Sequence, residues 1–113
     1  MFRLALELFR MRELTLTDRV VVPEAVVSRE LDGETVVLNL ETGIYFGLDP
    51  VATDIWRALQ TDGTLQGALD TVRGQYDVAP DVLRDDLLRL VNSMATKGLL
   101  QAVDPSANPT TAG

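Results

Sequence analysis

Residues 38–56, with the sequence LNLETGIYFGLDPVATDIW, constrain the fold of this chain more than any other stretch. The pair Thr42-Gly43 predicts a tight turn between residues 38–40 and a short aromatic strand at residues 44–48. Asp49-Pro50 then supplies an N-cap and a first helical position. The apolar residues that follow recur at helical spacing, at Ala52, Ile55, Trp56 and Leu59. The segment therefore predicts strand, turn, strand and capped helix, and it contains no catalytic side chain.

Two β-rich runs precede this segment. Residues 25–31 and 35–40 flank Asp32-Gly33, a dipeptide that accepts positive φ in a two-residue hairpin turn. Pro23 cannot donate to a ladder, so it marks an edge or the start of a strand. We expect a three-stranded antiparallel meander, whose edge presents unpaired backbone groups.

Three helices are predicted after the sheet. The first ends at Asp62-Gly63, the second is capped by Thr64, and the third runs from about Pro80 to Gly98. The apolar face of the second helix is Leu65, Ala68, Leu69, Val72 and Tyr76, and that of the third is Leu83, Leu87, Leu90, Val91 and Met94. Val82 and Leu88 fall outside this stripe. We expect Trp56 and Tyr45 in the core and Leu99-Leu100 folded back onto it. The predicted fold class is α+β and winged-helix-like, a three-stranded antiparallel sheet followed by three helices.

Missing residue types exclude much chemistry. The chain has 113 residues, the size of one domain, and it has neither Cys nor His. Disulfides, thiolate nucleophiles and the commonest general base and metal ligand are therefore unavailable. Its serines, carboxylates and single Lys97 stand in no recognisable nucleophile or phosphate-loop context. We expect no catalytic residue, no metal site and no cofactor, and a role other than that of an enzyme.

The charge distribution narrows the possible partners. Residues 20–104 carry fourteen acidic against six basic residues, whereas residues 1–19 carry four arginines against three acids. A surface this acidic repels a nucleic-acid backbone. Glu7 interrupts the apolar start, and no segment reaches the roughly 18 apolar residues of a membrane helix. We expect a cytoplasmic protein that binds neither nucleic acid nor membrane.

We predict three regions along the chain. Residues 1–19 form an N-terminal extension, residues 20–103 the domain, and residues 104–113 a disordered tail. The extension is compatible with helix, strand or disorder. Its alternation of Phe2, Leu4, Leu6 and Leu8 resembles an extended apolar peptide, so it either occupies a groove of its own molecule or a neighbour, or is a disordered or misannotated start. A monomer and a weak or domain-swapped dimer are both compatible with the sequence.

The order of elements resembles the PqqD family, whose members are also described as RiPP recognition elements. The resemblance covers about residues 20–102 and rests on the run TGIYFGLD at residues 42–49, Ile55-Trp56, Asp86-Leu87 and Gly98-Leu99-Leu100. Asp49 stands where the family often has asparagine, and Ala52 where it often has glycine.

The resemblance implies a domain that binds the leader segment of a ribosomally made precursor peptide and presents it to a modifying enzyme, such as a radical-SAM protein, a leader protease or a cyclase. The leader would add as a strand at the sheet edge, with its alternate side chains in a groove walled by the third helix. Gly47 would let the peptide backbone approach closely, and Arg84 would pair with an acidic leader residue. The predicted peptide contacts are Ile44, Tyr45, Phe46 and Gly47 on the strand side and Arg84, Leu87, Leu88 and Val91 on the helix side.

Two other functions are compatible with the same elements. One is a winged-helix DNA-binding regulator, and the other is a structural subunit of a peptide maturase complex with an inactive groove. The third helix is poorly suited to phosphate contacts, because its three basic residues are matched by three aspartates: Arg84, Arg89 and Lys97 against Asp81, Asp85 and Asp86.

Overall fold

A computed structural model describes residues 13–103. It confirms the α+β class, with a three-stranded antiparallel sheet and three helices. The predictions for residues 1–12 and 104–113 lie outside the described residues. In chain order the elements are β1 (Val20–Val21), β2 (Val26–Leu31), β3 (Glu34–Asn39), β4 (Tyr45–Leu48), α1 (Pro50–Thr61), α2 (Leu65–Arg73), α3 (Pro80–Thr96) and β5 (Gln101–Ala102).

The main sheet has the strand order β2-β3-β4. Its first hairpin turns at Asp32 and Gly33, whose φ angles of 54° and 82° confirm the predicted left-handed turn. Alternate residues of β3 face the helices, and the inward set, Thr35, Val37 and Asn39, is buried. Phe46 and Leu48 of β4 lie opposite Val37 and Thr35, so they share this inner face.

The helices begin where the capping residues predict. The Asp49 side chain accepts a hydrogen bond from the backbone N–H of Ala52 at 2.8 Å, and Thr64 accepts one from Gly67 at 3.1 Å. Trp56 is 1% exposed, as predicted for a core residue, and its indole N–H donates to the Ser28 hydroxyl at 3.3 Å. The hydrogen bond attaches α1 to the inner face of β2.

The predicted stripe of α3 packs into the core. Its buried members are Leu83, Leu87, Val91 and Met94, while Leu90 is half-buried. The helix ends at Thr96, and Gly98, two residues later, has a φ of 77° that lets the chain reverse. Leu99 and Leu100 are 0% and 2% exposed, which confirms that the chain folds back onto the core.

Two predictions about tyrosines were wrong. Tyr45 is 70% exposed instead of buried, because β4 alternates and its inward positions belong to Phe46 and Leu48. Tyr76 does not extend the face of α2, which ends at Arg73. Its hydroxyl instead donates to the carboxylate of Asp54 on α1.

The ends of the domain form a second sheet that the sequence did not predict. Val20 pairs with Ala102 and Val21 with Gln101, antiparallel. The N–H of Val20 also donates to the carbonyl of Gly63 at 2.8 Å, between α1 and α2. Residues before β1 are attached as well, since Leu14 is 4% exposed and the N–H of Gln66 donates to the Leu16 carbonyl at 3.1 Å. No helix within residues 13–103 is long and apolar enough to cross a membrane.

Candidate functional site

The outer edge of β4 is a row of backbone groups that no strand within residues 13–103 pairs with. The N–H of Asn39 donates to the carbonyl of Ile44 at 2.9 Å, and the register then pairs Val37 with Phe46. Because backbone groups of an antiparallel strand point alternately to either side, Phe46 bonds to β3 while Tyr45 and Gly47 point away from it. Within the described part of the chain, β4 pairs with no strand other than β3. Tyr45 and Gly47 therefore each offer one N–H donor and one carbonyl acceptor to a further strand.

The side chains along β4 leave this edge accessible. Phe46 is half-buried against the core, whereas Tyr45 and the preceding Ile44 are 70% and 42% exposed. A Cβ added at Gly47 would meet no atom within 4 Å. The four residues predicted for the strand side of the site thus lie together along one open edge.

The C-terminal end of α3 lies beside this edge. The ammonium nitrogen of Lys97 is 5.9 Å from the centre of the Phe46 ring, a cation–π contact between α3 and β4. The side-chain amide of Asn39 donates to the carbonyl of Gly98 at 3.0 Å. These two contacts place the last turn of α3 next to the start of β4.

Helical spacing identifies the flank of α3 that faces β4. Successive residues turn by about 100°, so positions four and seven residues before Lys97 share its side of the helix. These positions are Ser93 and Leu90, both half-buried. Asp86 continues the same stripe one turn earlier, where it pairs with Arg89 at 3.2 Å. We call Leu90, Ser93 and Lys97 the β4-facing flank.

A different flank of α3 holds the segment before β1. The side-chain oxygen of Asn92 accepts a hydrogen bond from the N–H of Leu14 at 2.8 Å, and its amide donates to the Leu88 carbonyl at 2.8 Å. Leu88 and Arg84 precede Asn92 by four and eight residues, so they belong to this Asn92 flank.

The structure therefore places two of the residues predicted for the helix side in the core and the other two at the surface. Leu87 and Val91 are 0% exposed and pack in the core, so they offer no surface to a ligand. Arg84 and Leu88 are accessible and lie on the Asn92 flank, and the Arg84 guanidinium pairs with Asp85 at 3.1 Å. The residues predicted for the helix side do not include the β4-facing flank. Its signal was present in the spacing of Leu90, Ser93 and the single lysine before Gly98.

The basic residues of α3 differ in whether they are paired with a carboxylate. Lys97 has no carboxylate partner among residues 13–103, whereas Arg84 and Arg89 of α3 each pair with an aspartate of the same helix. No cluster of three potential metal ligands occurs in the described ranges. Clear pKa shifts belong to groups outside the β4 edge and α3. For example, hydrogen bonds from Arg57 hold the pKa of Glu30 below its ordinary value, and the hydrogen bond to Asp54 raises the pKa of Tyr76.

Residues 34–100 match the family model of coenzyme PQQ synthesis protein D (PqqD), which is more than half of the chain. The chain belongs to the PqqD family. The matched span begins at β3 and includes β4, all three helices and Leu100, so it contains both walls of the candidate site of this PqqD-family domain.

Two solved structures share the fold of this PqqD-family chain. One is described as TbiB1 in complex with the TbiA(beta) leader peptide, with 36% identity, a TM-score of 0.66, and coverage of 71% of this chain and 93% of that one. The other is described as lasso peptide synthetase B1 complexed with the leader peptide, with 20% identity, a TM-score of 0.65, and coverage of 76% and 99%, and it shows similarity of fold alone. A comparison with curated proteins found no match.

Proposed function

We propose that this PqqD-family chain is a non-catalytic module that binds the leader segment of a ribosomally made precursor peptide and delivers it to a modifying enzyme. The observation that carries the proposal is the free edge at Tyr45 and Gly47, which lies beside the accessible flank of α3. The 36% identical TbiB1 structure, a complex with a leader peptide, supports the same function.

Strand addition supplies part of the affinity. A peptide that runs antiparallel to β4 can exchange hydrogen bonds with the N–H and C=O groups of Tyr45 and Gly47. Each such bond contributes about 1 kcal/mol net in water, whereas a micromolar complex needs about 8 kcal/mol. The backbone edge alone is therefore insufficient, and side chains of the peptide must be bound as well.

The β4-facing flank is suited to bind those side chains. The peptide residue opposite Phe46 points, like Phe46, toward α3, because directly opposed residues of two strands share a face. Leu90 there offers an apolar contact, and Lys97 carries a charge without a carboxylate partner in the described ranges. We therefore expect the leader to present an apolar residue and an acidic residue on its inward side.

The other free edge of the sheet, on β2, is less suited to a peptide. The N–H of Val26 already donates to the Pro23 carbonyl at 3.0 Å. The inward side chains of Ser28 and Glu30 are held by Trp56 and Arg57 of α1. Peptide side chains that enter there would have to displace contacts that attach α1 to the sheet.

Two matched leucines test the proposal. Leu90 and Leu88 are both half-buried residues of α3 but lie on different flanks. With the TbiA(beta) leader and the leader of any precursor encoded beside this chain as fluorescent probes, we expect Leu90→Gln to weaken binding about tenfold and Leu88→Gln to change it less than about twofold. Circular dichroism would confirm that both variants fold. If the wild type binds neither probe at about 1 mM, the proposal is wrong.

The two alternative functions are not favoured. A DNA-binding regulator needs a basic recognition helix, but Arg84 and Arg89 are each paired with an aspartate. A purely structural subunit does not require the backbone groups of Tyr45 and Gly47 to be free.

A further inference from the structure

The face of the sheet that points away from the helices is unusually apolar. The register places Val27, Leu38 and Tyr45 in one row across the three strands, and Arg29, Val36 and Gly47 in the next. Directly opposed side chains are close enough to form one surface. Val27, Val36 and Tyr45 are 46%, 48% and 70% exposed, and no described element covers them. We call these two rows, with Leu31 and Leu40 at their ends, the outer sheet face.

A solvated sheet face is normally polar, so the apolar character of this face indicates that it binds a partner. Antiparallel sheets with one wet face alternate between apolar inward and polar outward residues. Here the outward positions also carry large apolar side chains, including Leu31 at 67% and Leu40 at 63% exposure. Contiguous exposed apolar surface of this kind marks interaction sites in soluble proteins.

The charges around the outer sheet face select among possible partners. Exposed acidic residues lie at both ends of the sheet, with Asp32 and Glu34 at the first hairpin and Glu41 at the second. The one basic residue on the face is Arg29. A second copy of this chain would place acidic residues against acidic residues, which is unfavourable. A surface with basic side chains around an apolar centre is complementary.

The outer sheet face is also continuous with the candidate peptide site. Tyr45 contributes its side chain to the face and its free backbone groups to the β4 edge. A peptide added to β4 would extend the sheet, and its outward side chains would lie beside Tyr45 and the open space at Gly47. A protein on this face therefore touches the bound peptide as well as the domain.

We propose that the outer sheet face docks the peptide-modifying enzyme, through an apolar patch on that enzyme surrounded by basic side chains. The inference rests on the proposed function, since the enzyme is its delivery target. The domain would then bind its two partners on different surfaces. The peptide would bind at the β4 edge and the inner face of the sheet, and the enzyme would bind on the outer sheet face.

Two valines of equal exposure provide a matched test. Val36 on the outer sheet face and Val21 on β1, outside the main sheet, are each 48% exposed. The probes are the purified radical-SAM enzyme, leader protease or cyclase encoded beside this chain, and the fluorescent leader peptides. We expect Val36→Glu to weaken enzyme binding at least about tenfold and leader binding less than about twofold, while Val21→Glu changes neither. If Val36→Glu does not fold, Val36→Thr replaces it, because threonine keeps a β-branched side chain. We expect Val36→Thr to weaken enzyme binding as well.

The acidic ends of the face provide a second measurement. Glu34→Lys combined with Glu41→Lys should slow association with the enzyme and reduce its dependence on ionic strength. Both glutamates are exposed, so the variant should fold.

The inference is overturned if the enzyme does not bind, if Val36→Glu leaves enzyme affinity unchanged, or if Val21→Glu reduces it equally. It is also overturned if the wild type sediments as a dimer that Val36→Glu dissociates, because a second copy would then occupy the face. Failure of the wild type to bind any leader contradicts the proposed function separately, since the valine comparison on the enzyme does not require the peptide.

Discussion

The side-chain amide of Asn39 donates a hydrogen bond to the carbonyl oxygen of Gly98 at 3.0 Å and so joins β3 to the end of α3. The side-chain oxygen of the same residue accepts the N–H groups of Glu41 and Thr42, at 2.8 and 3.2 Å. One buried amide therefore fixes both the turn that leads into β4 and the position of α3 relative to that strand. These are the two walls of the proposed peptide site.

Asn39→Ala should lower the free energy of unfolding by about 2 kcal/mol, because three hydrogen bonds of a buried side chain are lost. It should also weaken leader binding in the folded protein, since the two walls are no longer joined. Urea denaturation and fluorescence titration measure the two effects. Asn92→Ala is the control, because Asn92 holds Leu14 on the other flank of α3, and its loss should reduce stability without changing leader affinity. Equal losses of affinity in both variants would contradict this role of Asn39.

Gly47→Pro should abolish strand addition without unfolding the sheet. The N–H of Gly47 points away from β3, so proline removes no ladder bond, and edge positions tolerate proline. We expect leader affinity to fall at least about tenfold, measured by titration of the labelled peptide. Gly47→Ala keeps the N–H and places its Cβ in open space, so it should bind normally. If alanine and proline weaken binding alike, the missing hydrogen bond is not the cause.

Charge reversal distinguishes the two flanks of α3. Lys97→Glu should reduce affinity for leaders that carry an acidic inward residue, with a larger effect at low salt. Arg84→Glu, on the Asn92 flank, should have little effect. A leader with that acidic residue changed to lysine should recover binding to Lys97→Glu. Fluorescence anisotropy at two ionic strengths measures these affinities. If Arg84→Glu has the stronger effect, the peptide binds on the Asn92 flank, as the sequence predicted.

Two buried threonines should respond oppositely to valine. The hydroxyl of Thr35 is buried and has no hydrogen-bond partner within residues 13–103, whereas that of Thr53 donates to the Leu48 carbonyl at 3.4 Å. Thr35→Val should raise the free energy of unfolding by about 1 kcal/mol, because an unpaired polar group is removed. Thr53→Val should lower it by a similar amount. Thermal denaturation measures both, and destabilisation by Thr35→Val would contradict the prediction.

The Glu30–Arg57 pair makes stability depend on pH. Hydrogen bonds from Arg57 hold the pKa of Glu30 below its ordinary value of 4.5. A carboxyl whose pKa is lowered by folding stabilises the protein above its unfolded pKa, and that contribution is lost as the pH falls through the folded value. The melting temperature of the wild type should therefore fall more steeply below about pH 4.5 than that of Glu30→Gln. Parallel curves for the two proteins would show that the pair contributes nothing measurable.

Much of the fold followed from local signals. The positive φ at Asp32 and Gly33, the caps at Asp49 and Thr64, and the buried stripe of α3 each depend on residues a few positions apart. The four residues predicted for the strand side of the candidate site also lie together, because three of them belong to β4 and Ile44 directly precedes it. The error at Tyr45 arose because an aromatic residue predicts burial only when the inward set of its strand is known.

The sequence by itself determined the three-stranded sheet, the three helices and the family resemblance, since turn chemistry, capping and helical period act between near neighbours. Only the tertiary structure decided that Lys97 lies over Phe46, that Asn92 holds Leu14, and that β1 pairs with β5. These contacts join residues that are distant in the chain. They depend on how the helices pack in the core, which local sequence patterns do not determine. The rotation of α3 about its own axis is such a property. It buries Leu87 and Val91 in the core and brings Lys97 over Phe46.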